Sequence, residues 1–168
     1  MSVSVGFTQP KFPEHIDHYQ NVYIEHKDPI GIVQKDRVPP LPYYIRIIKH
    51  DHCLTLYSFG NPLRIYSVST GKLQTDTPEG IYPIVMKVVN PWYLKTNIPG
   101  GDPLNPLGSR WIGLQVWDTD GSKYGIHGTN RPELIGLNVT AGCIRMYNTE
   151  IQQLFAIVPM WTLVEIQS

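Results

Sequence analysis

Cys143 and His127 stand sixteen residues apart in the stretch Tyr124–Asn148, YGIHGTNRPELIGLNVTAGCIRMYN, and both are set among glycines. Gly125 and Gly128 flank the histidine; Gly142 precedes the cysteine, and Ile144 and Arg145 follow it. Such a set can support nucleophilic acyl transfer. A free thiol, with an ordinary pKa of about 8.5, is only a few per cent thiolate at neutral pH, and the thiolate is the attacking species. A neighbouring imidazole can take the proton, hold the sulfur ready as an ion pair, and return the proton to a leaving amine. Glycine beside a reactive side chain lets a substrate backbone come close and leaves main-chain N–H groups to face a developing oxyanion. Arg145 would add positive charge near the sulfur or fix a substrate carboxylate with its planar fork. Residue types alone leave a second reading open. Free cysteine is among the most buried residue types, so Cys143 and His127 also fit as a small apolar core residue and a core histidine.

Holding these groups requires strands, and the chain is rich in strand signals. Fifteen prolines and fourteen glycines in 168 residues separate short runs of Ile, Val, Tyr and Leu, the texture of a β-rich fold with many turns. Strands are expected over 43–50, 53–59, 63–69, 81–89, 111–117, 124–127 and 161–166, with Gly60-Asn61 as a hairpin turn. In the first, Ile45 and Ile47 share one face and Arg46 and Ile48 the other. One helix is expected, over 149–157, capped by Asn148 and stopped by Pro159. The fold class is therefore mainly β, a sandwich or rolled sheet with one clear helix after Cys143. Between 89 and 111 runs a long stretch with little pattern, containing Trp92 and Tyr93. Loops of that length in compact domains tend to be functional, and a lid over the site is the expectation. Residues 1–42 hold six prolines and read as an irregular arm, with one edge strand near 21–25; the catalytic domain is expected over 43–168.

Composition removes several classes of function. Lys+Arg and Asp+Glu balance at 14 each, so no general attraction draws the chain to nucleic acid or to an anionic membrane. No run of 18 apolar residues could span a bilayer, and no secretory signal is visible at the N-terminus. Two cysteines, Cys53 and Cys143, make no disulfide framework, and a bridge between them would consume the candidate nucleophile. The string His50-Asp51-His52-Cys53 invites a metal, but on a strand Cys53 points away from the two histidines and further ligands are missing, so a polar turn is expected. Asp118-Thr119-Asp120-Gly121 resembles the start of a calcium loop without its later acidic ligand, and also reads as a turn.

Taken together, His127-Gly128-Thr129 and Thr140-Ala141-Gly142-Cys143-Ile144-Arg145-Met146-Tyr147-Asn148 closely resemble the signature of the L,D-transpeptidase (YkuD-like) catalytic domain. Ser69-Thr70-Gly71-Lys72 and Thr77-Pro78-Glu79-Gly80 resemble that family's G-K and T-P-x-G turns, and the resemblance covers about residues 44–167. It implies that Cys143 is acylated, that His127 is its general base and acid, that Gly142 lies at the oxyanion hole, and that Arg145 sets the electrostatics of the site. It further implies substrate contacts from Tyr124, Gly128, Thr129 and Thr140, and from Trp92 and Tyr93 on the loop. The implied reaction attacks the third residue of a peptidoglycan tetrapeptide stem, releases D-alanine, and passes the acyl group to an amine, or to water as an L,D-carboxypeptidase. No cofactor or metal is implied. Carbapenem β-lactams are implied covalent inhibitors, and the cell envelope or spore wall is the implied location. Two positions depart from the family pattern: Thr140 replaces a serine, and Ala141 stands where many members carry a second histidine. Two rivals are an idle cell-wall binding module, which would have an inert Cys143, and another thiol peptidase or amidase.

Overall fold

The computed structural model describes residues 23–27, 33–37 and 42–168. Most of the 1–42 arm, including the first part of the strand expected near 21–25, lies outside the described residues. What is described of it is a unit of its own, an antiparallel pair of strands, β1 (Tyr23–Lys27) and β2 (Val33–Arg37), with Tyr23 opposite Arg37 and Lys27 opposite Val33. The second of these strands was not expected from the sequence.

The larger unit holds β3 (Tyr43–Ile48), β4 (Cys53–Ser58), β5 (Asn61–Ser67), β6 (Thr70–Gly71), β7 (Gly80–Val89), β8 (Arg110–Leu114), β9 (Tyr124–His127), β10 (Asn138–Thr140), β11 (Ile144–Arg145), helix α1 (Asn148–Ile157) and β12 (Leu163–Gln167). Eight of these strands form one curled mixed sheet in the order β11-β9-β8-β7-β12-β3-β4-β5. β12 sits in the middle, antiparallel to β7 and parallel to β3. The short β6 and β10 pair separately, in parallel. The expectation of a mainly β fold with one clear helix after Cys143 is met.

Alternation decides the faces. Ile45 and Ile47 on β3 lie opposite Leu56 and Leu54 on β4, and all four are fully buried; burying each is worth roughly 1.5–3 kcal/mol. The other face of the same pair carries Arg46, ion-paired to Glu165 at 2.8 Å, with its guanidinium beside the stacked rings of Tyr44 and Tyr57.

Three local expectations are corrected. The first hairpin turns on Phe59-Gly60, with φ of 48° and 81°, while Asn61 already pairs with Ser58; two left-handed residues in succession suit a tight hairpin, which shifts the turn by one residue. The strand expected to run to Trp117 ends at Leu114, and Trp117 takes φ 51°, a conformation that cannot continue a strand. The helix cap is Tyr147. Asn148 is the first helical residue and spends its amide on other segments, as the site geometry shows.

The other end of α1 is tied down by Lys87 of β7. Its Nζ donates to the carbonyls of Phe155 and Val158, both at 2.7 Å, and lies 4.4 Å from the centroid of the Phe155 ring. A cation at the carbonyl end of a helix meets both the unpaired acceptors and the negative end of the helix dipole. Partial burial lowers the Lys87 pKa, a cost that these carbonyls and the ring offset. Replacing it by Met should cost about 1–3 kcal/mol in equilibrium denaturant unfolding; an unchanged midpoint would show that water satisfies those carbonyls equally well.

Candidate active site

The site is assembled by a two-residue parallel pairing. Ile144 and Arg145 of β11 lie opposite Ile126 and His127 of β9, and Met146 N–H extends the ladder to the His127 carbonyl at 2.9 Å. On its other side Arg145 exchanges both backbone bonds with Ser69. Cys143 therefore enters beside the end of β9, and its side chain and that of His127 line the same cleft of about 760 Å³.

His127 is buried and its orientation is fixed. Its Nδ1 donates to the Gly128 carbonyl at 2.6 Å, because a carbonyl can only accept; this leaves Nε2 as the basic nitrogen. The ring stacks on Trp111, centroids 5.4 Å apart, and the indole Nε1 is itself anchored on the Gly121 carbonyl at 2.9 Å. Burial pushes the imidazole pKa down to about 4, opposed by the Gly128 carbonyl and reinforced by the charge of Arg145. Above pH 5 the ring is neutral and able to accept a proton.

Cys143 is half-buried. Desolvation raises its pKa, against a backbone bond from Gly125 and the nearby Arg145 charge, which lower it. Its Sγ–H points to the Lys123 carbonyl at 3.5 Å. Both shifts favour a neutral thiol and a neutral imidazole over the ion pair, because both groups are desolvated and low polarity penalises the charged forms.

Thr140 brackets the nucleophile. Its hydroxyl accepts from Gly142 N–H at 3.1 Å and donates to the Cys143 carbonyl at 2.6 Å. The Gly142 N–H is therefore committed to Thr140 and does not face an oxyanion, contrary to the expectation. What Gly142 contributes is its φ of 111°, which only glycine holds without strain; a Cβ there would also lie 3.2 Å from the Tyr124 ring.

Asn148 joins three pieces. Its Oδ1 accepts from Ser109 N–H at 3.0 Å and its Nδ2 donates to the Thr129 carbonyl at 2.8 Å, so the foot of the long loop, the His-Gly-Thr turn and the start of α1 meet at one amide. A Cβ on Gly128 would overlap Asn148 Oδ1. Thr129 is buried, and its hydroxyl accepts from Arg131 N–H; like Gly128 it supports the site from behind and does not line the cleft.

The long loop is ordered. Asn105 is buried and donates to the carbonyls of Pro91 and Pro99, while Tyr93 and Ile98 exchange backbone bonds at 2.9 and 3.1 Å. Trp92, Tyr93 and Lys95 thereby form one wall of the cleft. Tyr124 stands outside the cleft lining, against Gly142 and edge-on to Trp117. Elsewhere, His50 contacts Asp51 and His52 contacts Asn138, Asp120 bonds Ser122 in a turn, and both cysteines are free. Among the described residues no three His, Cys, Asp or Glu side chains gather to hold a metal.

The family model of the L,D-transpeptidase catalytic domain (YkuD) matches residues 42–166. The chain belongs to this family. It is 46% identical over 134 residues to the putative L,D-transpeptidase YqjB of Bacillus subtilis (strain 168), covering 80% of this chain and 76% of that protein. It is 37% identical over 126 residues to the putative L,D-transpeptidase YkuD of Bacillus licheniformis (strain ATCC 14580), covering 75% of this chain and 66% of that one. L,D-transpeptidase 3 from Mycobacterium tuberculosis, solved in complex with a faropenem-derived adduct, shares the fold at a TM-score of 0.62 and 16% identity, over 82% of this chain and 64% of that chain.

Sequence reasoning missed Trp111 as the support of the imidazole and misassigned Asn148. Trp111 read only as the first residue of a strand; it lies directly opposite His127 on β9, a register that the sequence does not carry. The resting protonation states set a pH dependence. Because the Cys143 pKa is raised and His127 is already neutral above its value of about 4, alkylation of Cys143 should climb steadily from pH 6 to 9, as thiolate appears only on the alkaline side. Iodoacetamide labelling followed by intact mass checks this; a plateau beginning near pH 5 would instead reveal a preformed thiolate.

Proposed function

We propose that the chain is a peptidoglycan L,D-transpeptidase working through a thioester on Cys143. The observation that carries this reading is that Cys143 and His127 line one cleft, with His127 Nδ1 held on the Gly128 carbonyl, within a chain of the L,D-transpeptidase family. As the sulfur attacks the carbonyl carbon of the third stem residue, His127 Nε2 takes the thiol proton. The carbonyl oxygen becomes an oxyanion facing the Cys143 N–H. Collapse breaks the peptide bond, the imidazolium gives its proton to the departing amine of D-alanine, and the thioester remains. An acceptor amine then attacks the thioester, loses a proton to His127, and the proton returns to the sulfur as it leaves. Water in the same role yields hydrolysis. Charge builds only on attack, so Arg145 acts when it matters most: its positive field favours the thiolate and disfavours premature protonation of His127.

The same site suits β-lactams, whose strained carbonyl acylates a thiol without an acceptor; a relative of the same fold was solved with a faropenem-derived adduct. Carbapenems are therefore proposed covalent inhibitors, and the cell envelope or spore wall is the proposed place of action. An idle binding module would have no use for an oriented imidazole beside a thiol.

Brief incubation with a carbapenem should add one adduct mass to the protein and none to Cys143→Ala, which should also abolish transfer from tetrapeptide stems. His127→Ala should slow acylation by about 10²–10⁴-fold. Stem-peptide transfer persisting in Cys143→Ala would reject the thioester.

A further inference from the structure

Every charged group lining the cleft, apart from the titrating pair, is a cation: Lys95, Lys123 and Arg145. No aspartate or glutamate lines it. Other cations of the same unit hold carboxylates, Arg46 on Glu165, Lys49 on Asp76 and Glu79, and Arg131 on Glu133. Among the described residues, the three cleft cations hold none. The chain as a whole is neutral, with 14 basic and 14 acidic side chains, so this is a local concentration of unpaired positive charge.

Position and burial separate the three. Arg145 lies deepest, and its Nε is buried without a hydrogen-bond partner; a desolvated donor of this kind is costly unless something arrives to accept from it. Lys123 lines the cleft; its backbone carbonyl receives the Cys143 thiol, and its ammonium lies 5.2 Å from the centroid of the Tyr124 ring. Lys95 is carried by the loop hairpin between Tyr93 and Ile98, on the wall that also bears Trp92.

We propose that these cations form a carboxylate-reading subsite, and that the donor is a stem peptide whose side carboxyl groups are free acids, not carboxamides. The inference rests on the thiol-transfer reading above and adds the charge state of its substrate. Lys123 and Lys95 each meet one of these carboxylates from the cleft lining. Arg145 supplies the buried donor between them and the nucleophile. An amidated donor keeps its shape but offers no charge, and it leaves the Arg145 donor to a weaker acceptor.

The test compares two tetrapeptide donors, identical except that the carboxyls of the second and third residues are free in one and carboxamides in the other. Acylation kcat/KM is read with the full chain and with the double variant Lys95→Gln/Lys123→Gln. Exposed charge pairs contribute a few-fold each, so the wild-type protein should favour the free acid by about tenfold at low salt. That preference should shrink in ~0.5 M salt. The double variant should lose most of it, and Lys95→Arg/Lys123→Arg should keep it. Equal acylation of wild type by both donors overturns the proposal, as does a preference that ignores salt or survives in the glutamine variant. No acylation of folded wild-type protein by either donor, followed by circular dichroism, overturns the thiol-transfer reading and the carboxylate reading with it.

Discussion

The geometry of the site hangs on two rungs of parallel sheet. Ile144 and Arg145 form a strand of only two residues, yet that strand is bonded on both sides, to β9 and to Ser69. In a sheet, slipping by one residue exchanges the faces of every side chain. Here a slip would turn Arg145 away from the cleft and carry Cys143 off the end of β9. Full burial of Ile126, Ile144 and Met146 makes such a slip expensive, since each would leave the core. The catalytic register is thus enforced by apolar packing behind it and not by contacts between the reactive groups.

A second constraint acts from the other side. The Asn148 amide ties the loop foot at Ser109 to the carbonyl of Thr129, two residues past His127. Loop wall, histidine turn and helix start cannot move independently while that amide is satisfied, because each would strand a buried polar group. Asn105 does the same inside the loop. A stretch with no periodic pattern is in this way made rigid by two side-chain amides.

Much of this was legible beforehand, and the reasons differ by element. Strands with strict alternation, such as 43–48, announce both their existence and their buried face. The long motif around Cys143 points to the chemistry through its resemblance to the L,D-transpeptidase signature; residue types alone left a core cysteine and a core histidine equally open. The two- and three-residue strands β6, β10 and β11 were not visible, since a period of two cannot be read from so few residues. Asn148 looked like a helix cap because asparagine before an amphipathic run usually is one; its real partners lie 19 and 39 residues away, and local sequence carries no sign of them. The engagement of the Gly142 N–H by Thr140 is local, a hydroxyl bonding the backbone two residues on, and was missed because the motif resemblance had assigned that N–H to the oxyanion. The charge states of the pair were also out of reach, since desolvation depends on the packed walls and not on the neighbours in sequence.

Holding the Cys143 thiol protonated has a consequence for durability. Oxidants attack thiolate far faster than thiol, and the path from sulfenic to sulfinic acid soon becomes irreversible. A thiol whose hydrogen points to the Lys123 carbonyl, and whose acidity is suppressed by desolvation, presents little thiolate. The only other cysteine, Cys53, contacts Thr55 on its own strand and offers no resolving partner. On the proposed thioester reading, a sulfur that rests as thiol is in the form less open to peroxide.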